Sequence, residues 1–288
     1  MNIPNLDQIH AIVDNALQED LGDGDHTSLA TIPENAQATA KLLVKADGVI
    51  AGVELAKIIF NRFDPELKVE GYINDGEIIK KGDIVFRVSG SSRSILSTER
   101  LVLNFMQRMS GIATQTHHLA SLIADYPTQL LDTRKTTPGI RLMEKWAVRI
   151  GGGTNHRFAL YDMIMIKDNH VDYSGGIEKA IDRTKAYLAE KGKNLKIEIE
   201  VRNNDELAQV LAHGGVDRIM LDNYSPEAMT EALLLIDRDK YEVEASGGIT
   251  KDTIVDYAKT GVDFISTGAV THSYKSLDLS LKADFEVG

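Results

Sequence analysis

Cysteine is missing from all 288 residues, which excludes disulfides, thiolate zinc sites, iron–sulfur ligation and a cysteine nucleophile together. Positive charge is also short. The 32 Lys and Arg stand against 43 Asp and Glu, a formal net charge of −11, which argues against a nucleic-acid partner because tracking a phosphate backbone needs a cationic footprint. No stretch offers 18 consecutive apolar residues, since Lys45, Asp47, Glu54 and Lys57 interrupt the most apolar early segment; no membrane span is expected. Met1 to Leu21 shows no basic segment followed by a long apolar run, so a cytoplasmic protein is the expectation. What is present, 43% apolar and 26% charged residues, is the composition of a folded chain with a sizeable core, in one large domain or two modest ones.

One window reverses the charge balance. Between Asp132 and His170, seven basic residues (Arg134, Lys135, Arg141, Lys145, Arg149, Arg157, Lys167) face four acidic ones (Asp132, Glu144, Asp162, Asp168). A site for small polyanions is the sharper reading of this island. A charged helix face accounts for Arg141, Lys145 and Arg149, spaced four apart, but not for Arg134, Lys135 or Lys167.

Ile9, Ile12, Val13, Ala16 and Leu17 recur at helical spacing and predict a first amphipathic helix ending before the glycines of 21–25. Short β-prone runs follow at 41–44, 69–73 and 84–88, then a long helix with Leu101, Val102, Phe105, Met106, Met109, Ile112 and Ala113 on one apolar face. Beyond it, strand-like runs at 129–134, 163–167, 196–201, 218–222, 242–246 and 263–267 alternate mostly with helical patterns, at 174–190, 205–213, 226–235 and 251–260. Six βα units imply a parallel sheet covered on both faces, as an α/β barrel or a doubly wound sheet. Eight would need about 250 residues, so the expected fold class is α/β: a six-stranded, abbreviated α/β barrel with a smaller N-terminal mixed α/β domain. The expected boundaries are 1–110 for the N-terminal domain, with a tail at 272–288 packing on it, and 111–271 for the barrel.

Parity within the strands is informative. Ile197, Ile199 and Val201 share one face and Glu198 and Glu200 the other; Val243 and Ala245 oppose Glu242, Glu244 and Ser246. If the apolar faces meet the helices, the carboxylates point into the barrel and need cations, which Arg134 and Lys167 at neighbouring strand ends can supply. For Glu198, Glu242 and Glu244 the competing reading is a buried ion-pair lattice without a catalytic task. The strands end on Arg134, Lys167, Glu200, Asp222, Ser246 and Thr267, one functional group per unit, and carboxyl ends of barrel strands share one mouth. Ser246-Gly247-Gly248 and Thr267-Gly268-Ala269 offer backbone N–H groups next to helix starts, suited to a phosphate. Gly151-Gly152-Gly153 reads as a flexible linker, followed by His156 and Arg157 on a segment able to close over a charged ligand. His117-His118 reads as surface. Asp23, Asp25, Thr27 and Glu34 only partly fit a calcium loop, with Ser28 in place of its glycine, and residues 70–88 read as scaffold.

Leu131-Asp132-Thr133-Arg134-Lys135-Thr136-Thr137-Pro138-Gly139, Gly151 to Arg157, and Ile166-Lys167-Asp168-Asn169-His170, supported by Thr98-Glu99-Arg100, Leu221-Asp222-Asn223 and Ala245-Ser246-Gly247-Gly248, resemble the signature of quinolinate phosphoribosyltransferases, the carboxylating nicotinate-nucleotide pyrophosphorylases. The resemblance spans essentially the whole chain. It implies joining quinolinate to 5-phosphoribosyl 1-diphosphate with Mg²⁺, giving nicotinate mononucleotide, diphosphate and CO₂. It implies that Arg134, Arg157 and Lys167 hold the quinolinate carboxylates, with His156 nearby and Arg100 contributed across a homodimer interface, and that Thr133 also binds substrate. Lys135 falls on the diphosphate and ribosyl region. Glu200 and Asp222 fall on the ribose hydroxyls or Mg²⁺, directly or through the diphosphate, and Ser246, Gly247, Gly248, Thr267, Gly268 and Ala269 on the 5-phosphate. Lys135, Glu200 and Asp222 are the catalytic candidates. Competing readings are a phosphoribosyltransferase for another acid, such as the molybdenum-transport-associated paralogue, a Schiff-base lyase using Lys135 or Lys167, and a non-catalytic dicarboxylate sensor.

Overall fold

The computed structural model describes residues 4–284; the outermost parts of the expected 1–110 domain and 272–288 tail, residues 1–3 and 285–288, lie outside the described residues. In chain order the elements are α1 Leu6–Leu21, α2 His26–Thr31, β1 Gln37–Val44, β2 Gly48–Val49, α3 Val53–Phe63, β3 Lys68–Gly71, β4 Ile78–Ile79, β5 Ile84–Ser91 and α4 Ser92–Leu122. There follow β6 Gln129–Leu131, α5 Arg141–Ile150, β7 Ile164–Ile166, α6 Asp168–Ser174, α7 Ile177–Lys191, β8 Ile197–Val201 and α8 Asn204–His213. The chain ends with β9 Arg218–Asp222, α9 Pro226–Leu233, β10 Glu242–Ser246, α10 Ile254–Lys259, β11 Phe264–Ser266, α11 Ala269–His272 and β12 Leu279–Ala283. The described residues fall into two compact units: 4–117, 136–152 and 270–284 form one, and 118–135 with 153–269 the other.

In the first unit an antiparallel sheet runs β12-β1-β5-β3, and β2 pairs with β4. Alternation along β1 buries Ala40, Leu42 and Val44 on one face, where Phe60 of α3 meets Phe86 of β5 edge to face at 6.0 Å between centroids. Each such side chain contributes ~1.5–3 kcal/mol on burial. The C-terminal β12 pairs with β1 from Ala40↔Ala283 to Val44↔Leu279, and Asp284 locks it by accepting from Lys41 Nζ and Arg87 Nε, both at 2.6 Å. The partial calcium-loop pattern resolves differently: Asp25 caps α2, accepting from the Ser28 amide at 3.1 Å and from the Ser97 hydroxyl at 3.0 Å.

Of the glycines at 151–153, expected as a flexible linker, Gly151 is a packing glycine, and Gly152 takes a left-handed φ of 91 with open space beside it. A Cβ on Gly151 would strike the Ala113 carbonyl oxygen and stand 2.8 Å from Thr116 Cβ, so its missing side chain lets the end of α5 approach α4.

The second unit holds six parallel strands in the order β6-β11-β10-β9-β8-β7. All five residues of β8 are buried, as expected for a sheet covered on both faces. Strands begin and end where they were expected to within a few residues. The longest discrepancy is β6, which stops at Leu131 rather than running to Arg134. From Asp132 onwards the chain turns, and the free side of β6 takes a single parallel bridge to Thr154, with Thr154 N–H on Leu130 O at 2.8 Å. The segment carrying His156 thus lies along the first strand. The helix expected over 174–190 is α7, which starts three residues later; the short α6 before it, closed by Gly175 in the left-handed region at φ 82, was not expected.

Candidate active site

Lys167, Glu200 and Asp222, at the carboxyl ends of β7, β8 and β9, lie within electrostatic reach of one another, and Arg134, three residues beyond β6, neighbours Arg157. Lys167, which begins α6, lies with Nζ 3.6 Å from Glu200 Oε2 at the end of β8. Glu200 is 9% exposed; burial raises its pKa, countered by Lys167 and reinforced by Asp222 and Asp168. Asp222, ending β9, is likewise raised by burial and steadied by the charges of Lys167 and Lys135 and by an amide hydrogen bond from Asn223. Arg157 is held below its ordinary pKa by burial and by the neighbouring Arg134 charge. Two guanidiniums therefore stand close enough to repel, which favours an anion between them. Thr133 turns the segment after β6, its Oγ1 accepting from the Lys135 amide at 3.0 Å. Arg134 and Lys135 themselves are exposed. Arg100 is exposed on α4, in the first unit.

Ser246, Gly247 and Gly248 end β10, and Thr267 to Ala269 follow β11. Thr267 Oγ1 donates to Ile249 O at 3.3 Å, tying these two turns together. The β9 and β10 ends are joined through Asn223, which sequence reasoning did not single out beyond its place in the motif. Asn223 has φ 58, a left-handed conformation that asparagine tolerates better than most residues. Its amide nitrogen donates to Ser246 O at 2.9 Å and its Nδ2 to Asp222 Oδ2 at 2.6 Å. Gly247 sits against it at φ 97, and an added Cβ would stand 2.6 Å from Asn223 Cγ and 2.8 Å from its backbone nitrogen. Gly247→Ala is therefore expected to cost about 2 kcal/mol through clash and left-handed strain, read as a lowered denaturant midpoint. An unchanged midpoint would show that the turn relaxes freely.

Below the strand ends lies a cluster that the sequence only half disclosed. Glu198 and Glu244 are wholly buried. The cations expected for them were Arg134 and Lys167; the structure supplies instead Arg218, from the start of β9, and His156. Arg218 Nη1 reaches Glu244 Oε2 at 3.1 Å and Nη2 reaches Glu242 Oε2 at 3.0 Å, with the guanidinium carbon 4.0 Å from the Phe264 ring centroid. Register explains the choice, because Arg218 pairs with Glu198 on one side and Glu242 on the other. His156 is not carried on an open loop: it is 8% exposed, with Nε2 2.9 Å from Glu198 Oε2 and 3.2 Å from Glu244 Oε2.

His156, Glu198 and Glu244 have the composition of a cation site, but the ring's other face decides against one. Nδ1 accepts the Arg157 amide at 2.7 Å, so the ring hydrogen sits on Nε2 and no lone pair is turned to the carboxylates. The carboxylates raise the ring's affinity for a second proton against the opposing effect of burial. Nδ1, the position it would take, is already occupied by that amide hydrogen. The proton drawn to the cluster therefore belongs on Glu198, whose carboxyl is pushed up by burial and by the Glu244 charge. Glu244 stays ionised: burial is outweighed by His156, Ser266 and Arg218.

Among the described residues no helix is long and apolar enough to cross a membrane. Family models for the C-terminal and N-terminal domains of quinolinate phosphoribosyl transferase match residues 112–282 and 25–110. A rice (Oryza sativa subsp. japonica) chloroplastic nicotinate-nucleotide pyrophosphorylase [carboxylating] is 46% identical, over 97% of this chain and 78% of the relative. A probable nicotinate-nucleotide pyrophosphorylase [carboxylating] of Bacillus subtilis is 39% identical, over 95% of this chain and 93% of its own length. The crystal structure of NadC from Streptococcus pyogenes superposes with a TM-score of 0.92 at 39% identity, covering 98% of both chains. Two independent layers, the strand-end constellation and this likeness along nearly the full length, lead to one conclusion: the chain belongs to the quinolinate phosphoribosyl transferase family.

Proposed function

We propose that this chain transfers the phosphoribosyl group of 5-phosphoribosyl 1-diphosphate to quinolinate with loss of CO₂, forming nicotinate mononucleotide and diphosphate for NAD biosynthesis. The observation that carries the reading is the juxtaposition of two kinds of charge at one set of strand ends. Arg134 and Arg157 are crowded together and can offset the carboxylates of the acceptor, while Glu200, buried, and Asp222, half-buried, face the region where ribose would become cationic as diphosphate departs. Lys135, whose charge reaches Asp222, balances the leaving diphosphate. The turns at 246–248 and 267–269 seat the 5-phosphate through backbone N–H groups. Once the ring nitrogen is ribosylated, its positive charge stabilises the electron pair that the breaking C–CO₂⁻ bond leaves on the adjacent ring carbon, and a proton delivered there from water completes nicotinate mononucleotide, so no cofactor is needed as an electron sink.

Glu200 and Asp222 also fit Mg²⁺: it takes hard oxygen ligands and is commonly held by one or two carboxylates together with substrate phosphates. Bound there, it would neutralise charge on the diphosphate. The reading includes a cytoplasmic homodimer in which Arg100 of a second copy completes the acceptor site. It disfavours Lys167 as the nucleophile of the lyase alternative, because Lys167 is ion-paired with Glu200 and a Schiff base needs a neutral amine.

Incubation with quinolinate, the phosphoribosyl donor and Mg²⁺ is expected to release CO₂ and nicotinate mononucleotide in equal amounts; binding without turnover would favour the sensor. Arg157→Ala is expected to raise the quinolinate KM by about tenfold or more, the worth of a charge-assisted contact, and to leave the KM of the phosphoribosyl donor nearly unchanged. Equal loss for both substrates would remove Arg157 from the acceptor site.

A further inference from the structure

The interior cluster has no evident stability rationale. A buried carboxylate pair with one arginine is generally no more stable than apolar residues of the same volume, and none of its members needs to touch substrate. Its geometry has a direction, however. Glu198 and Glu244 receive the Nε2 side of His156, and the opposite nitrogen of the same ring takes the backbone amide of Arg157 at 2.7 Å. Asp132, wholly buried, holds the same turn from the other side, with Oδ1 accepting the His156 amide at 2.9 Å and Oδ2 the Asn155 side-chain amide at 2.6 Å. Arg157 Nη1 donates to Met163 O at 3.2 Å. The three residues 155–157 are thus pinned one after another, and the last pin depends on which ring nitrogen bears hydrogen.

The geometry points to Glu244 as a positioning residue for the dicarboxylate acceptor: through the Nε2–H tautomer of His156 it fixes the backbone of Arg157, and with it the aim of the guanidinium. An anion beside Nε2 favours hydrogen there and leaves Nδ1 free to accept, as outer-shell carboxylates do for ligating histidines. Arg218, ion-paired with Glu244, keeps that anion in place. Remove the Glu244 carboxylate and the ring loses a reason to keep its hydrogen inward; with hydrogen on Nδ1 the Arg157 amide is repelled and the turn must shift. Bidentate recognition of a carboxylate by a guanidinium tolerates little displacement. The shift reaches the acceptor through the ring and the Arg157 amide; Ser266, which hydrogen-bonds Glu244 beside the 267–269 turn, is the other route out of the cluster, and the KM of the phosphoribosyl donor reads it.

This inference rests on the assignment of Arg157 to the acceptor. Its test is a double-mutant cycle on the full-length protein with quinolinate as the varied substrate. Glu244→Met is expected to raise the quinolinate KM by about tenfold, to leave the KM of the phosphoribosyl donor within about twofold, and to add nothing further in the Arg157→Ala background. Glu244→Gln, which keeps an acceptor oxygen beside Nε2, is expected to restore most of the loss. An effect of Glu244→Met on both KM values alike, or one that adds in full to Arg157→Ala, overturns the proposal and leaves a structural role. Arg157→Ala with an unchanged quinolinate KM overturns the underlying assignment instead. Should Glu244→Met not fold, ¹⁵N spectra of histidine-labelled wild type decide. The His156 ring, identified by its loss in His156→Gln, is expected as the neutral Nε2–H form at pH 7, and an Nδ1–H or doubly protonated ring overturns the proposal.

Discussion

Replacing Arg218 by methionine is expected to cost about 3–5 kcal/mol of folding stability at neutral pH, the usual penalty for stranding one partner of a buried ion pair. Arg218 is 9% exposed and the only guanidinium in contact with Glu244 among the described ion pairs; methionine fills much of its volume but offers no donor. Glu244 would then rely on His156 and Ser266, with the Glu198 carboxyl beside the same imidazole. The pH dependence separates this cause from lost packing. An abandoned buried carboxylate has its folded pKa raised above its unfolded value, so between those two values the folded state binds more protons than the unfolded state. Stability then falls as pH rises through that window and is regained as pH drops. Denaturant unfolding at pH 5.5 and 7.5 is expected to show a markedly smaller deficit at the lower pH, and Arg218→Met combined with Glu244→Gln is expected to recover part of it at the higher. A deficit below about 1 kcal/mol, the same at both pH values, would mean that the cluster is solvated well enough to need no arginine.

The parity of β8 and β10 made the inward carboxylates legible, since two-residue alternation is a strict rule and both strands obey it. Their partner was harder to see. Arg218 opens β9 and shares parity with Met220 and Asp222, so the same rule would have turned it inward, but pairing it with Glu198 and Glu242 requires the register between strands, which no single strand encodes. The strand-end residues could be read because parallel βα units bring their carboxyl ends to one side. His156 was misplaced for a different reason. Three glycines ahead of it suggest mobility, whereas Gly151 is there for close approach to Ala113 and the turn is fixed by Asp132, a residue whose neighbours lie 23 and 24 positions along the chain. Likewise Asn223 declares its role only through φ 58 and the space left by Gly247. Local pattern discloses which face a side chain takes; long-range hydrogen bonding decides what it meets there.

Glu200 is the place where stability and activity should move in opposite directions. Burial raises its pKa and the neighbouring Asp222 and Asp168 raise it further, with only Lys167, at 3.6 Å, countering them. The ionised carboxylate is thus a cost to the fold at neutral pH, because a raised folded pKa means stability declines as pH rises past the unfolded value. Glu200→Gln removes that cost without changing volume, so its unfolding midpoint is expected to equal or exceed that of the wild type. Turnover is expected to fall on the order of 100-fold, as when one preorganised charge facing a transition state is lost, with the quinolinate KM altered far less. The acid side of the profile supplies the second check. In the wild type kcat is expected to drop as pH falls through the raised Glu200 pKa, and in Glu200→Gln that limb is expected to flatten. Unaltered turnover would take Glu200 off the catalytic list, and turnover lost together with stability would make it a structural carboxylate. Higher stability with lost turnover is the outcome that a strained, functional charge requires.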